Sequence, residues 1–336
     1  MKRHPTIIDV ARKAGVSKTT VSRVVNGQED SVREETYRRV QEAIEELGYT
    51  HNAVASSLRT DRTNTIMFSL PDIANPFWPA VARGVQDRME EEGYAVVFAN
   101  NDWDSQRENT FLEMAQRYRF DGILVNPVSV RNDQLKAAHI PAVLIGSHED
   151  YPDFDIVGSD SYGATMIALE HLYSLGHRRI GLIRGERKSR PGHSRLRGYE
   201  VFLLNKILPL DKELIACAPF EEAGGMHALH QLLSLANPPT AVLAANDILA
   251  IGAMQAAHAA GLFIPDQLSI VGMDDIMAAR ATNPGLTTIA KPKYEIGRQA
   301  ADFLLDRLAA RSQPEPRRHL FTCTLRQRGS TGPPDM

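Results

Sequence analysis

The chain has 336 residues, 43% of them hydrophobic and 24% charged, with a formal charge of -3. That length allows two or three domains with substantial cores, and the near-neutral balance requires any basic, nucleic-acid-binding footprint to be local. Cys217 and Cys323 are two isolated thiols that make neither a disulfide framework nor a CxxC metal site, so both read as small buried apolar residues in a reducing compartment.

The N-terminus, "MKRHPTIIDVARKAG", lacks the continuous apolar run of a signal peptide. The longest apolar region, "AVLAANDILAIGAMQAAHAAGLFIP", is broken by Asn246 and Asp247 and does not read as a membrane span. A cytoplasmic protein with no membrane partner is expected.

The first predicted helix opens at Thr6, with Asp9 completing a weak capping box. Val10, Ala11 and Ala14 share its inner face, and Gly15 ends it. Ser17 can cap a second helix in which Thr20, Val21, Val24 and Val25 face inward. Lys18, Thr19, Ser22 and Arg23 lie on its opposite face, and the "NG" at Asn26 stops it. A third helix is expected to start with a Ser31–Glu34 capping box, to carry Val32, Thr36, Val40, Ala43 or Ile44, and Leu47 as its stripe, and to end at Gly48. Three short helices with a tight first turn follow the helix-turn-helix plan, whose second helix enters the major groove. Residues 1–26 carry Lys2, Arg3, Arg12, Lys13, Lys18 and Arg23 against Asp9 alone, so the basic footprint is local. The plainer alternative is a solvated helix hairpin.

"TIIDVARKAGVSKTTVSRVVNG" and the following "VREETYRRVQEAIEELGYTHNAVASSLRT" resemble the N-terminal signature of the LacI/GalR family of bacterial transcription regulators. The resemblance implies a DNA-reading headpiece over 1–50, with contacts from Thr6, Ser17, Lys18, Thr19, Thr20, Ser22, Arg23 and Asn26. It implies a hinge helix and linker over 51–63, in which Asn52 caps, Ala55 lets two copies approach, and Leu58 wedges into the minor groove. Ser56 stands where the family commonly has Arg, which removes one phosphate contact. A segment of about seven residues is too short to be a stable helix alone. It is expected to fold when paired on DNA, as part of a homodimer on a pseudo-palindromic operator. The alternative for Leu58 is an ordinary linker residue buried in the core.

From about Asn64, apolar runs alternate with amphipathic stretches. The runs are "TIMFSL", "YAVVFAN", "GILVNP", "AVLIG", "DIVGSD", "RIGLIR", "AVLAAND", "LSIVGMDD" and "TTIAKP". Nearly all-apolar β-rich runs suit strands covered on both faces, and their alternation with helices implies parallel sheets. The βα pattern restarts at "GATMIALEHLYSLGHRRIGLIRG", which divides residues 64–330 into two α/β lobes. Lobe 1 is expected over about 64–160 and 291–318, and lobe 2 over about 161–290 and 319–330. A tail over 331–336 follows, with "RQRGSTGPPDM" read as disordered.

This core resembles both the LacI/GalR family and the periplasmic sugar-binding proteins, through "NPFWPAVARGVQDRMEEEGY", "GHRRIGLIRG", "SRLRGY", "AANDILAIGAMQAAHAAGLFIPDQLSIVGMDD" and "LTTIAKP". The fold class expected is therefore α/β, a helix-turn-helix headpiece plus a two-lobed periplasmic-binding-protein-like core. The resemblance places Phe77, Trp78, Asp160, Arg195, Phe220, Asn246 and Asp274 around a small effector, a sugar or sugar derivative. Aromatic faces cover the C–H face of a sugar, and amides, carboxylates and an Arg fork take its hydroxyls. Each has a plainer alternative: core packing for Phe77 and Phe220, a helix cap for Asp274, an ion pair for Arg195. Gly146-Ser147 stands where sugar-binding relatives often have Asp-Arg, and His148, Arg184 or Ser189 are the candidates to compensate. No cofactor and no metal are expected, although "HALH" places His227 and His230 at i, i+3. A transport protein would need an export signal and no DNA-reading head. An enzyme would need a nucleophile and base or a phosphate loop, and no GxSxG, P-loop or post-strand GxGxxG occurs.

Overall fold

The computed structural model describes residues 5–25, 31–50, 62–185, 193–310 and 315–335. The chain divides into two compact units, residues 1–63 and 64–336.

In the first unit, α1 (Ile7–Ala14), α2 (Lys18–Val25) and α3 (Glu34–Leu47) enclose one small core of Val10, Ala11, Ala14, Val21, Val24, Val40 and Ala43. The Thr6–Asp9 capping box is formed, and Gly15 adopts the left-handed conformation (φ 66°) that ends α1. A side chain at Gly15 would both strain that φ and press on Arg39, 3.2 Å away. Gly48 ends α3 in the same way. The expected Ser31–Glu34 box is not made, because α3 begins at Glu34 itself and its N-cap is Arg33, with no side-chain bond.

The second unit holds two six-stranded sheets. The first runs β11-β5-β4-β3-β1-β2 and is parallel throughout. Its strands are β1 (Thr65–Leu70), β2 (Ala95–Asn100), β3 (Gly122–Val125), β4 (Ala142–Ile145), β5 (Asp155–Ser159) and β11 (Arg318–Phe321). The second runs β12-β10-β9-β8-β6-β7 and is parallel except for β12. It comprises β6 (Ile180–Gly185), β7 (Ile215–Ala218), β8 (Ala241–Ala244), β9 (Ser269–Asp274), β10 (Thr287–Ala290) and β12 (Thr324–Arg326). The intervening helices are α4 (Phe77–Glu91), α5 (Ser105–Arg117), α6 (Asn132–Ala137), α7 (Ser161–Ser174), α8 (His193–Asn205), α9 (Glu222–Leu233), α10 (Asp247–Ala259), α11 (Met277–Ala281) and α12 (Lys293–Ala309). Helices cover both faces of each sheet, so each lobe has two apolar clusters, one per face. The first five strands of each sheet take the same order, 2-1-3-4-5, so the lobes are two copies of one doubly wound plan.

Several sequence expectations need correction. Strand β2 is an edge strand and is not covered on both faces, with Val97 and Phe98 exposed. Strands β7, β11 and β12 were not read from the sequence, since they are short and carry exposed or polar residues. Cys217 is exposed on β7 and is not a core residue. The chain crosses between lobes after β5, after β10 and after β11. The last crossing falls at 322–323, a few residues beyond 318, because β11 extends to Phe321 beside β5.

The segment after β12 is ordered against lobe 2. Ser330 is fully buried; its Oγ donates to the Ile270 carbonyl (2.6 Å) and accepts from the Thr287 amide (2.8 Å). His177 Nε2 meets the Gly332 carbonyl at 2.9 Å, and His171 Nε2 meets Thr331 Oγ1 at 2.9 Å. Burial pulls the pKa of both imidazoles below the ordinary value. Their neutral forms are therefore favoured in the fold. Docking of the segment is at full strength above the unfolded value of about 6.5 and weakens as pH falls through the lower folded values. Protection of the amides at 329–332, taken relative to the intrinsic exchange rate at each pH, should be lower at about pH 5 than at about pH 7.5, and His177→Gln should flatten that difference. Equal protection at both pH values in the parent chain would contradict this anchoring.

Candidate functional site

The headpiece presents one polar helix face. Ser17 Oγ accepts from the Thr20 amide (3.1 Å) and lies 2.9 Å from Thr20 Oγ1, which fixes the start of α2. Thr6 Oγ1 donates to Asp9 (2.7 Å). These three hydroxyls serve helix ends first. Lys18 and Thr19 are exposed in the first turn of α2, Ser22 is half-buried, and Arg23 is exposed in the last turn. Arg39 of α3 donates to the Ala14 carbonyl through Nη2 (2.5 Å) and Nε (3.2 Å), so it occupies the carbonyl end of α1 and locks the turn between the first two helices. Lys13 pairs with Glu46 across the same bundle. Arg39 escaped sequence reading because nothing in its local pattern points 25 residues back. Asn26, Asn52, Ala55 and Leu58 lie outside the described residues.

The core carries a cleft at the carboxyl ends of both sets of strands, where doubly wound folds place ligands. Its walls enclose about 680 Å³, counting the open mouth. From lobe 1 come Asn75, Phe77 and Trp78 after β1, Trp103 after β2, Asn126 after β3, and Gly146 to His148 after β4. From lobe 2 come Arg195 of α8, Phe220 after β7, Asn246 after β8 and Asp274 ending β9, with Lys291 from the crossing after β10. Phe77, Trp78, Arg195, Phe220, Asn246 and Asp274 thus share one cavity. Asp160 does not line it: its Oδ1 accepts from the Gly163 amide (2.9 Å) and caps α7. Of the three candidates for compensation, His148 lines the cleft, Arg184 is buried outside the lining, and Ser189 lies outside the described residues.

Phe77 and Trp78 pack edge to face, with centroids 5.0 Å apart. Gly146 (φ 137°) must lack a side chain, because a Cβ would stand 2.5 Å from the His148 ring. Asn246 Oδ1 accepts from the Leu249 amide (2.9 Å), so its amide nitrogen is the group it can offer a ligand. Arg195 is buried; burial lowers its pKa and the nearby Asp274 charge opposes that shift.

Asp274 is more than a helix cap or a free acceptor. Its Oδ1 accepts from Lys291 Nζ at 2.8 Å, with both side chains nearly fully buried. Asp274 and Asp275 both have positive φ (119° and 52°), a strained arrangement for non-glycine residues. Lys293 donates to both of their carbonyls, and Arg328 bonds the Asp275 carboxylate at 2.5 Å. Behind them, Asp247 receives Thr288 Oγ1 (2.5 Å) and the Ile276 amide (2.9 Å). Burial, reinforced by the Asp274 charge, pushes its pKa up. Lys291 and Trp103 are among the lining residues that sequence reasoning missed. Lys291 sits in an apolar run read as strand, and Trp103 is a single aromatic within the polar "NNDWDSQ".

The arrangement is a DNA-reading headpiece joined to a ligand-binding core of the periplasmic-binding-protein type. Comparison with known proteins agrees. Residues 6–52 match the model of bacterial regulatory proteins of the lacI family, and residues 169–331 match that of a periplasmic binding protein-like domain. The chain is 35% identical over 330 residues to the HTH-type transcriptional repressor CytR of Escherichia coli (strain K12), covering 97% of this chain and 96% of that one. It is 35% identical over 329 residues to the ribose operon repressor of the same strain, covering 97% and 99%. It superposes on a Lac repressor dimer bound to operator and the anti-inducer ONPF with a TM-score of 0.88, at 28% identity, over 98% of this chain and all of that one. A LacI family transcriptional regulator from Enterococcus faecium with bound ribose matches with a TM-score of 0.71, at 30% identity, over 80% of this chain and 99% of that one. The chain belongs to the LacI family of bacterial regulatory proteins and is a DNA-binding transcription regulator.

Removing one partner of the buried ion pair strands the other. Lys291→Met should destabilise the core by on the order of 3–5 kcal/mol, and adding Asp274→Asn should restore much of that loss. Thermal melts of the two single variants and the double variant form the cycle. Additive losses would show that the two side chains do not depend on each other.

Proposed function

We propose that the chain represses transcription as a homodimer on a pseudo-palindromic operator, and that a sugar or sugar derivative in the cleft controls it. The observation that carries this reading is one cavity lined by aromatic rings, a buried arginine and amides, in a chain that also exposes Lys18, Thr19 and Arg23 on the recognition helix. Phe77 and Trp78 supply faces for the C–H side of a sugar ring. Arg195, Asn75, Asn126 and Asn246 supply donors and acceptors for its hydroxyls. The operator-bound and ribose-bound relatives support the two halves of the proposal separately.

In this mechanism Lys18 and Arg23 reach base edges while the helix ends of α1 and α2 face phosphates. Asn52, Ala55 and Leu58 form the hinge, with Leu58 as the wedge that opens a base step. Ligand changes the angle between lobes and so shifts the population in which two hinge segments pair.

Lys18→Ala and Arg23→Ala should each weaken specific operator binding by roughly 1–3 kcal/mol and leave the melting temperature unchanged. Gel shifts on operator and on random DNA would read this. Equal losses on both DNAs would reduce these residues to phosphate contacts. Leu58→Ala should lower DNA bending and specific affinity together, without changing thermal stability. A drop of many degrees in melting temperature with bending intact would make Leu58 a core residue.

A further inference from the structure

Trp103 lies in a loop built to aim it. Asp102 and Trp103 both have positive φ (51° and 59°), two consecutive strained positions in a non-glycine loop. Asn101, fully buried, holds them by accepting from the Trp103 amide through Oδ1 (3.0 Å), and Asp102 is fixed by Asn100 (2.5 Å) and by Arg107. The indole then stacks on Phe220 of the other lobe, with centroids 5.2 Å apart and planes 29° from parallel. Both rings are half-exposed, while Asn75, Trp78, Asn126, Arg195, Asn246 and Lys291 behind them are buried. The stack is therefore the outer wall of the cleft and joins its two lips. Among the described residues, Trp103 Nε1, a donor, and Asn126 Oδ1, an acceptor, are buried polar atoms of the lining with no hydrogen-bond partner. Leaving such groups unmet is costly, and a hydroxyl can satisfy both kinds of atom.

We propose that Trp103 sets the size of the ligand: closed on Phe220 it admits a polyol of a single ring and excludes one with a second ring, and its indole N–H, like the Asn126 oxygen, binds a ligand hydroxyl. This rests on the cleft being the effector site. Trp103→Phe keeps an aromatic face and removes the N–H. Trp103→Ala removes both.

The test uses the full-length protein. Its two tryptophans give two 19F lines with 5-fluorotryptophan, and Trp103→Phe assigns them. Without ligand, Phe220→Ala should move the Trp103 line and leave the Trp78 line in place. An unmoved Trp103 line would overturn the stack and with it the proposal. Calorimetry with D-ribose, D-glucose, maltose and cellobiose then reads selection. Wild-type protein should favour a monosaccharide, and Trp103→Phe should keep that preference while binding roughly threefold to tenfold more weakly. Trp103→Ala should narrow the preference. The same mono-to-disaccharide ratio in wild type and Trp103→Ala would also overturn the proposal. If none of the four sugars binds wild-type protein while the Trp103 line still responds to Phe220→Ala, the gate stands and the sugar reading of the effector falls.

Discussion

The ion pair between Asp274 and Lys291 joins the ligand wall to a crossing between lobes. Asp274 ends β9 in the cleft, and Lys291 starts the segment that returns the chain from lobe 2 to lobe 1. A buried charge pair of this kind gains little net stability over apolar packing, but breaking it is expensive. Its value is positional. The pair, the Lys293 bonds to two carbonyls and the Arg328 clamp hold two consecutive strained residues in place. A change at the ligand wall is therefore mechanically close to a hinge between lobes, with no long relay between them.

The second constraint is topological. Two sheets with the same strand order turn their carboxyl ends toward one cleft, so the loops that carry chemistry all meet there. The rest of each loop is occupied with holding itself. Glu108 is an example: its buried carboxylate accepts from the amides of Val128, Ser129 and Val130, each at 2.7 Å, and so shapes the loop after β3 beside Asn126. Asp155 does similar work at the far edge. Burial pushes its pKa up, but Arg307 and Arg317 outweigh that and hold it ionised, tying β5 to α12 and the approach to β11.

Much of this was legible in the sequence, for reasons that differ between regions. The headpiece was readable because caps and periodicity are local: Thr6, Gly15 and Ser17 each act within four residues of themselves. The strands that were read are apolar runs covered by helices, and the exceptions prove physically informative. Strand β2 looked buried because its residues are apolar, yet it is an edge strand. Strands β11 and β12 looked like loop because only their pairing partners, far away in sequence, make them strands. The cleft lining was recovered where the resemblance supplied positions. Asp160 was misplaced outward from a strand end to the ligand because capping and ligand binding favour the same residue type at the same place. Lys291 and Trp103 were missed because their roles depend on partners 17 and 117 residues away, which no local pattern records.

Ser330 fills a fully buried niche and bonds two strands of lobe 2 at once. Residues 324–332 are thus part of the lobe's architecture, although their composition suggests spacer. A stop codon placed before Ser330 would leave every ligand-lining and DNA-facing residue intact while removing a buried seam from one lobe. Such an allele would fail by losing the core, and its loss of regulation would wrongly suggest a regulatory element beyond β12.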